Sequence, residues 1–194
     1  EIENNTLGLF GGMQDQFASA YGGMNAFSFS LTGKVEALYM EKDRADEIAK
    51  HLLLFHTGRT RKNPKLQENL KTLTVEQTDN LMKIKEIATE ALKFFNPMIK
   101  LDINEVANLL KRSWELKKKT NSVTNPHIDN IYETAIKAGA LAGKLNGSGM
   151  GGFMTFIVRP EHQAEVTYKL ERIKGVKHYD FGGIDYNGVT RWLK

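Results

Sequence analysis

Polar and apolar residues follow two different periods in the first part of the chain. Two runs, NAFSFSL and KVEALYM, alternate apolar and polar positions on either side of Thr32-Gly33. This alternation, interrupted by a glycine, predicts a β-hairpin with Gly33 in its turn. The segment before it, GGMQDQFASAYGG, repeats its apolar residues at helical spacing between two glycine pairs, so it predicts a short amphipathic helix.

Helical spacing dominates the middle of the chain. A short predicted helix, DRADEIAKHL, leads into the apolar run LLLFHTG, which predicts a buried strand. Three longer helices should follow. Thr74 and Gln77 form a capping-box pattern at the start of the first. Asp102 opens the second, and Pro126 fits the first position of the third. With short connections, we expect these helices to form a small helical layer.

The last third of the chain returns to strands. The segment GALAGKLNGSGMGGFMTFIV predicts two strands joined by a glycine-rich loop. Pro160 then begins a predicted helix that closes at Gly175, and VKHYDF and VTRWL predict two further strands. The predicted fold class is therefore α+β, a mostly antiparallel sheet backed by helices, with the small helical layer beside it.

Composition excludes several kinds of site. The 194 residues are 41% hydrophobic and 26% charged, as in an ordinary globular protein. No stretch holds the roughly 18–20 apolar residues of a membrane span, so no membrane partner is expected. The absence of cysteine excludes disulfides and thiolate metal sites and suits a reducing compartment, so we expect a cytoplasmic protein. The five histidines show no metal-ligand spacing, and no metal site is predicted.

The net charge of +4 indicates anionic partners only weakly. The one tight basic run, Lys117-Lys118-Lys119, lies at a predicted helix end, where cations complement the helix dipole. We therefore interpret it as a solvated helix terminus and expect no nucleic-acid partner. Whether the chain forms a homo-oligomer is left open.

Asp15 is the acidic residue in the most suggestive position. It lies near the start of a short predicted helix, after Gly11-Gly12, where the helix dipole stabilises a carboxylate. The flanking glycines would let a ligand or another chain approach the backbone. By position alone, however, the favoured interpretation of Asp15 is a first-turn residue that only stabilises its helix.

The loop NGSGMGG and the segment HTGRTR are the other two candidates. The loop resembles phosphate-binding loops in composition, but it lacks the Lys-Ser/Thr ending of a P-loop and no helix follows it. It is either a functional loop or a tight bend between strands. Arg59 and Arg61 follow the predicted strand LLLFH, where they either converge on an anion or form part of a solvated loop.

Together and in this order, these features resemble the GHMP kinase superfamily, named for galactokinase, homoserine kinase, mevalonate kinase and phosphomevalonate kinase. GGMQDQFASAYGG resembles the G-x-x-D-Q segment of those enzymes, and KLNGSGMGGFMTF resembles their third motif, K-x-x-G-A-G-x-G-G. With LLLFHTGRTR, the set is most similar to the sugar-phosphate branch, in particular the heptose 7-phosphate kinases. Ser148 stands where alanine is usual, a small change that the loop should tolerate.

The resemblance implies ATP-dependent transfer of a phosphoryl group to a hydroxyl of a sugar phosphate. It implies that Asp15 is the catalytic carboxylate and that Gln16, beside it, binds substrate. Arg61 would bind the phosphate of the substrate, with Arg59 as the second choice, because the planar guanidinium suits phosphate oxygens. The loop would line the phosphate site with backbone amides and no bulky side chains, through Gly147, Ser148, Gly149, Gly151 and Gly152.

The resemblance also places the chain in the C-terminal part of such a kinase. Residues 1–40 are expected to complete the N-terminal domain, and residues 41–194 to form the C-terminal domain. The family's ATP-loop motif, P-x-x-x-G-L-x-S-S-A, and its Mg²⁺ ligands would lie in a preceding segment, so we expect this chain alone to be inactive. Two alternatives remain open: a non-catalytic α+β binding or regulatory domain, and a GHMP kinase for another sugar such as galactose.

Overall fold

The computed structural model describes residues 13–59, 74–120, 123–147 and 149–189. Within these ranges the chain forms six α-helices, six strands and one 3₁₀ turn. Their order is α1 Gln14–Tyr21, β1 Asn25–Phe29, β2 Val35–Tyr39, α2 Lys42–Ala49, β3 Leu52–His56, α3 Val75–Ala91, the 3₁₀ turn Leu92–Phe95, α4 Ile103–Thr120, α5 Pro126–Lys137, β4 Ala140–Leu145, β5 Phe153–Val158, α6 Pro160–Glu171 and β6 Lys177–Tyr179. None of the helices in these ranges has the length and apolar character needed to cross a membrane.

The main sheet has four strands in the order β4-β5-β3-β6, and every neighbouring pair is antiparallel. One face carries Phe55 and Phe156, both fully buried, which pack with side chains of α5 and α6 such as Ile128 and Leu170. On the other face, Ala142 and Ile157 pack with Ala107 of α4 and its neighbours. The predicted α+β class, an antiparallel sheet backed by helices, is confirmed.

The local signals for helices are confirmed at their predicted positions. Thr74 and Gln77 form the reciprocal capping box at the start of α3. Pro126 is the first residue of α5, and the side chain of Asn125 caps it. Asp102 precedes α4 and its carboxylate accepts a hydrogen bond from the Asn104 N–H at 2.8 Å. These caps satisfy backbone donors that a helix cannot satisfy internally.

One prediction about the helices is wrong. The three long helices do not form a separate layer, because α3 packs on α4 whereas α5 packs on β4 and α6. The cause is the composition of α5, whose buried residues Ile128, Ile131 and Ala135 complete the core of the sheet. Of the two strands predicted at the end of the chain, β6 is observed and VTRWL lies almost entirely outside the described residues.

The predicted hairpin is a separate two-stranded sheet, with Asn25 paired to Tyr39 and Phe29 paired to Val35. Gly33, at φ +81°, lies in its turn, as predicted. Helix α1 lies on this hairpin through aromatic contacts, among them Phe17 with Phe27, whose ring centroids are 6.0 Å apart. The hairpin and α1 are thus held by ring contacts at the edge of the molecule.

Candidate active site

The glycine-rich loop connects β4 to β5 and lies against the end of β3. The Gly152 N–H donates to the Arg59 carbonyl at 2.9 Å, and the Thr57 N–H donates to the Gly152 carbonyl at 2.8 Å. At the base of the loop, the Asn146 N–H donates to the Phe153 carbonyl at 2.8 Å. These bonds bring two of the predicted site segments, the loop and HTGR, into direct contact.

The start of α5 supports the other side of the loop. The Met150 N–H donates to the Val123 carbonyl at 2.8 Å, and the Asn125 amide reaches the Met150 carbonyl at 3.4 Å. Met150 has φ +68°, a left-handed conformation that is uncommon for a residue with a side chain. The two backbone contacts hold it there. The loop is therefore anchored at both β3 and α5.

The glycines of the loop serve two different needs. Gly149 and Gly151 are buried, and a Cβ on Gly151 would lie 2.7 Å from the Arg59 carbonyl oxygen. A Cβ on Gly149 would lie 2.8 Å from the Cα of Val123. Gly147 has open space around it but a φ of +66°, which favours glycine. Close packing of the chain on itself thus explains half of the glycines, and clearance for a ligand remains a prediction.

Some backbone N–H groups of the loop take no part in the hydrogen bonds that anchor it. Gly152 and Met150 donate to protein carbonyls, but the N–H groups of Gly149 and Gly151 meet no acceptor among the described residues. Backbone N–H groups without a protein partner in a glycine loop are suited to the oxygens of an anion. This part of the loop therefore holds donors of the kind that bind phosphate, and its role in binding phosphate remains a prediction.

Two lysines lie beneath the loop, and sequence reasoning missed both. The Lys117 ammonium donates to the Gly147 carbonyl at 2.6 Å and lies 3.5 Å from the Leu145 carbonyl. Burial, followed by repulsion from Lys144, lowers the pKa of Lys117 to about 8. Burial also lowers the pKa of Lys144. The interpretation of the lysine run as a solvated helix end is wrong for Lys117. The available signal was its spacing three residues after Trp114, on the apolar face of α4.

His127, which belongs to none of the sequence motifs, connects β3 to α5 through a hydrogen bond. The Nε2 of His127 lies 2.7 Å from the carbonyl of Thr57, a fully buried residue at the end of β3. The bond is made next to the loop anchors at Gly152 and Asn125. It links the two elements that support the loop, so His127 helps to fix the spacing between them.

Asp15 lies elsewhere in the described structure. It is an exposed residue in the first turn of α1, where it borders a shallow pocket of about 310 Å³ with Gln14, Ala18 and side chains of β1. Gln16, next to it, is half-buried. No contact of the described residues joins Asp15 to the glycine loop, so the structure does not test their joint role.

Gly22 and Gly23, which follow α1, lie against the C-terminal segment 185–189. The Gly23 N–H donates to the Asp185 carbonyl at 2.7 Å, and the Val189 N–H donates to the Ala20 carbonyl at 3.3 Å. A Cβ on Gly22 would lie 2.4 Å from the backbone nitrogen of Gly188. Backbone packing thus explains Gly22, whereas a Cβ on Gly23 would meet only the Tyr186 ring, at an ordinary 3.5 Å, and its φ of +72° favours glycine.

The remaining predicted residues divide into two groups. Arg61 and Ser148 lie outside the described residues. Arg59 is exposed, and its carbonyl, which accepts from Gly152, makes the contact with the loop. In the part of the chain that the structure describes, no three His, Asp or Glu side chains converge on a possible metal position. The described residues therefore offer no ligand set for Mg²⁺.

Comparison with known proteins agrees with the motif resemblance. Residues 90–177 match the family described as GHMP kinases C terminal. The D-glycero-alpha-D-manno-heptose 7-phosphate kinase of Campylobacter jejuni is 32% identical over 196 residues, covering 99% of this chain and 57% of that protein.

Two solved structures are also similar to this chain. A D-glycero-D-manno-heptose 1-phosphate kinase from Bacteroides thetaiotaomicron is 28% identical, with a TM-score of 0.55 over 93% of this chain and 53% of that one. The mevalonate kinase of L. major, 18% identical with a TM-score of 0.63 over 85% of this chain and 51% of that one, shares the fold. The chain spans somewhat more than half the length of these relatives.

Proposed function

We propose that this chain, whose residues 90–177 match the family described as GHMP kinases C terminal, is part of an ATP-dependent kinase that phosphorylates a sugar phosphate. The observation that carries the proposal is the glycine loop. It presents the unused N–H groups of Gly149 and Gly151, and the Lys117 ammonium lies directly beneath it. Such a cluster of donors and positive charge suits phosphate oxygens, so the described residues fit a nucleotide phosphate.

The substrate that we propose is heptose 7-phosphate, converted to the 1,7-bisphosphate. The 32% identity to a protein of that name, over nearly the whole chain, supports this choice. The Bacteroides thetaiotaomicron structure, at 28% identity, is named instead for heptose 1-phosphate. The two names differ in the position of the phosphate that the substrate already carries, so both sugars belong in the test.

ATP, when bound, would supply the γ-phosphoryl group, with cleavage of its β–γ P–O bond and release of ADP. The chain's own residues would position the acceptor and accept its proton. In this proposal the Asp15 carboxylate takes the proton of the anomeric hydroxyl as the new P–O bond forms, and Gln16 contacts the sugar. No step is assigned to a metal ion, because the described residues hold no ligand set for one.

The 7-phosphate of the substrate needs a fixed cationic partner far from the reacting hydroxyl. Arg61 is our first choice and Arg59 the second, because an arginine can bind two phosphate oxygens at once. Arg59 is exposed after the end of β3, and its backbone carbonyl accepts a hydrogen bond from the glycine loop. Arg61→Ala should raise the Michaelis constant for the sugar phosphate and leave that for ATP nearly unchanged.

The test uses the protein expressed from its complete reading frame, with ATP and Mg²⁺. Heptose 7-phosphate, heptose 1-phosphate and galactose are offered separately, and the product is identified by ³¹P NMR. We expect turnover with heptose 7-phosphate and a second phosphorus resonance from the phosphate on the anomeric carbon. Preference for galactose or heptose 1-phosphate would overturn the substrate, and no transfer to any sugar would favour a non-catalytic domain.

A further inference from the structure

Lys117 is held in place by the fold of α4 and β4. It follows Trp114 on the apolar face of α4, and its ammonium reaches past the end of β4 to the carbonyls of Leu145 and Gly147. Because Gly147 begins the glycine loop, this contact fixes the direction of the first loop carbonyl. That carbonyl oxygen accepts a hydrogen bond from the Lys117 ammonium.

The positive charge beneath the loop is not balanced by a carboxylate among the described residues. The charged group that acts on Lys117 is Lys144 of β4, another lysine. On α4 itself, Lys118 is paired with Glu115 at 2.9 Å and Lys119 is exposed. The loop residues described, 147 and 149–152, carry no ionisable side chain.

The other elements that pack nearby use their ionisable groups elsewhere. On α5, Asp129 accepts a hydrogen bond from Thr124, and the His127 ring is bonded to the Thr57 carbonyl. Where α3 meets the end of α4, the contact is made by the neutral amide of Gln77, which donates to the Thr120 carbonyl. Two ammonium groups are thus partly desolvated with no counterion in the part of the chain that the structure describes, which is costly unless an anion completes the site.

We propose that Lys117 is a positioning residue of the glycine loop, and that its charge is balanced by the phosphate that the loop binds. The proposal rests on the proposed role of the loop as a phosphate site. In it, the ammonium holds the Gly147 carbonyl out of the site, so that N–H donors and no carbonyl oxygen face the anion. The anion in turn offsets the repulsion between Lys117 and Lys144.

This arrangement has a consequence that a merely structural lysine would not share. An anion bound near Lys117 favours its charged form and must raise its pKa from the value of about 8. By linkage, anion affinity falls as the pH rises through that region. An arginine at this position would keep its charge throughout, so the pH dependence would disappear while binding is retained.

The experiment follows the ¹³Cε resonance of Lys117 by NMR as a function of pH. The probe is inorganic sulfate, a dianion that does not itself titrate in this range, compared with chloride at equal ionic strength. We expect sulfate to raise the pKa of Lys117 and to leave that of Lys119, the exposed lysine two residues later, unchanged. An unchanged Lys117 pKa in saturating sulfate, or no sulfate binding at the loop, would overturn the proposal.

Substitutions of Lys117 distinguish the effect of its charge from the effect of its packing. Lys117→Met should bind sulfate about tenfold more weakly, whereas Lys117→Arg should remain within about threefold of the wild type and lose the pH dependence. Lys119→Met is the matched control and should behave as the wild type. Equal binding by Lys117→Met and the wild type would contradict the proposal. Because no sugar is used, these results stand apart from the substrate assay: sulfate linkage without kinase activity would remove the proposed function alone.

Discussion

The glycine loop and helix α1 carry the two halves of the proposed site, and the fold supports them in different ways. The loop is bonded through its backbone to the end of β3 and to Val123, directly beside the buried sheet. Helix α1 contributes no buried residue; it contacts the hairpin through aromatic rings, and its end is hydrogen-bonded to the segment 185–189. The sheet therefore fixes the shape of the loop, whereas the position of Asp15 depends on the hairpin and on the C-terminal segment.

This difference shows what each half needs in order to function. A phosphate loop must present several backbone donors at fixed spacing, which rigid anchors on two elements can supply. A carboxylate that takes a proton needs only to reach the acceptor hydroxyl, and side-chain rotation allows some adjustment. Substitutions in the two regions should accordingly affect different quantities: turnover for α1, and stability and anion binding for the loop.

Asp15→Asn tests the α1 half directly. The change preserves size and removes the charge that accepts the proton, so we expect turnover of the full-length protein to fall by about 10²–10⁴, with little change in ATP affinity. Asp43→Asn, a first-turn aspartate of α2, is the matched control and should retain normal turnover. Near-normal turnover of Asp15→Asn would remove this residue from the catalytic role.

Phe156→Ala and Phe29→Ala compare the supports of the two regions. Phe156 is fully buried in the sheet core, so its truncation should lower the free energy of unfolding by about 3–5 kcal/mol. Phe29 on the hairpin is 39% exposed, and its truncation should cost less than about 1.5 kcal/mol. Urea denaturation measures both. Equal losses would show that the hairpin is as firmly packed as the sheet.

Gly151→Ala and Gly147→Ala separate the two reasons for glycine in the loop. At Gly151 a Cβ would collide with the Arg59 carbonyl, and we expect a loss of about 2–3 kcal/mol in the free energy of unfolding. At Gly147 the space is open and only the positive φ is unfavourable, which should cost about 1 kcal/mol. A larger loss at Gly147 would mean that conformation, and not packing, determines the glycines of the loop.

Individual residues of the fold and of the candidate site show how much of the structure the sequence could predict. The capping pair Thr74–Gln77, Pro126 and the glycine between β1 and β2 act through neighbours in sequence, and their signals predicted the structure correctly. The burial of Lys117 could not be predicted in the same way, because it depends on the end of β4, about 30 positions further along the chain. The contact between Gly151 and Arg59, which are even further apart in sequence, gives the glycine cluster a packing role that composition alone did not reveal.

Lys117 should also make the stability of the protein depend on pH. Its pKa is lowered to about 8 in the folded protein from an ordinary value of 10.5, so between these values the unfolded chain binds more protons. The stability of the wild type should therefore rise relative to Lys117→Met as the pH increases from about 8 to 10.5. Urea denaturation at pH 7, 9 and 10.5 measures the difference. A difference that stays constant with pH would mean that Lys117 is charged throughout.

The most direct test of the central claim, that the glycine loop binds phosphate through its backbone, is an amide ¹H–¹⁵N NMR titration of the full-length protein. The probe is adenylyl imidodiphosphate, an ATP analogue that is not hydrolysed. The N–H resonances of Gly149 and Gly151, which have no acceptor among the described residues, should shift strongly and become protected from exchange. Those of Met150 and Gly152, already bonded to Val123 and Arg59, should change less. Saturable binding of the analogue that leaves Gly149 and Gly151 unchanged would contradict the account.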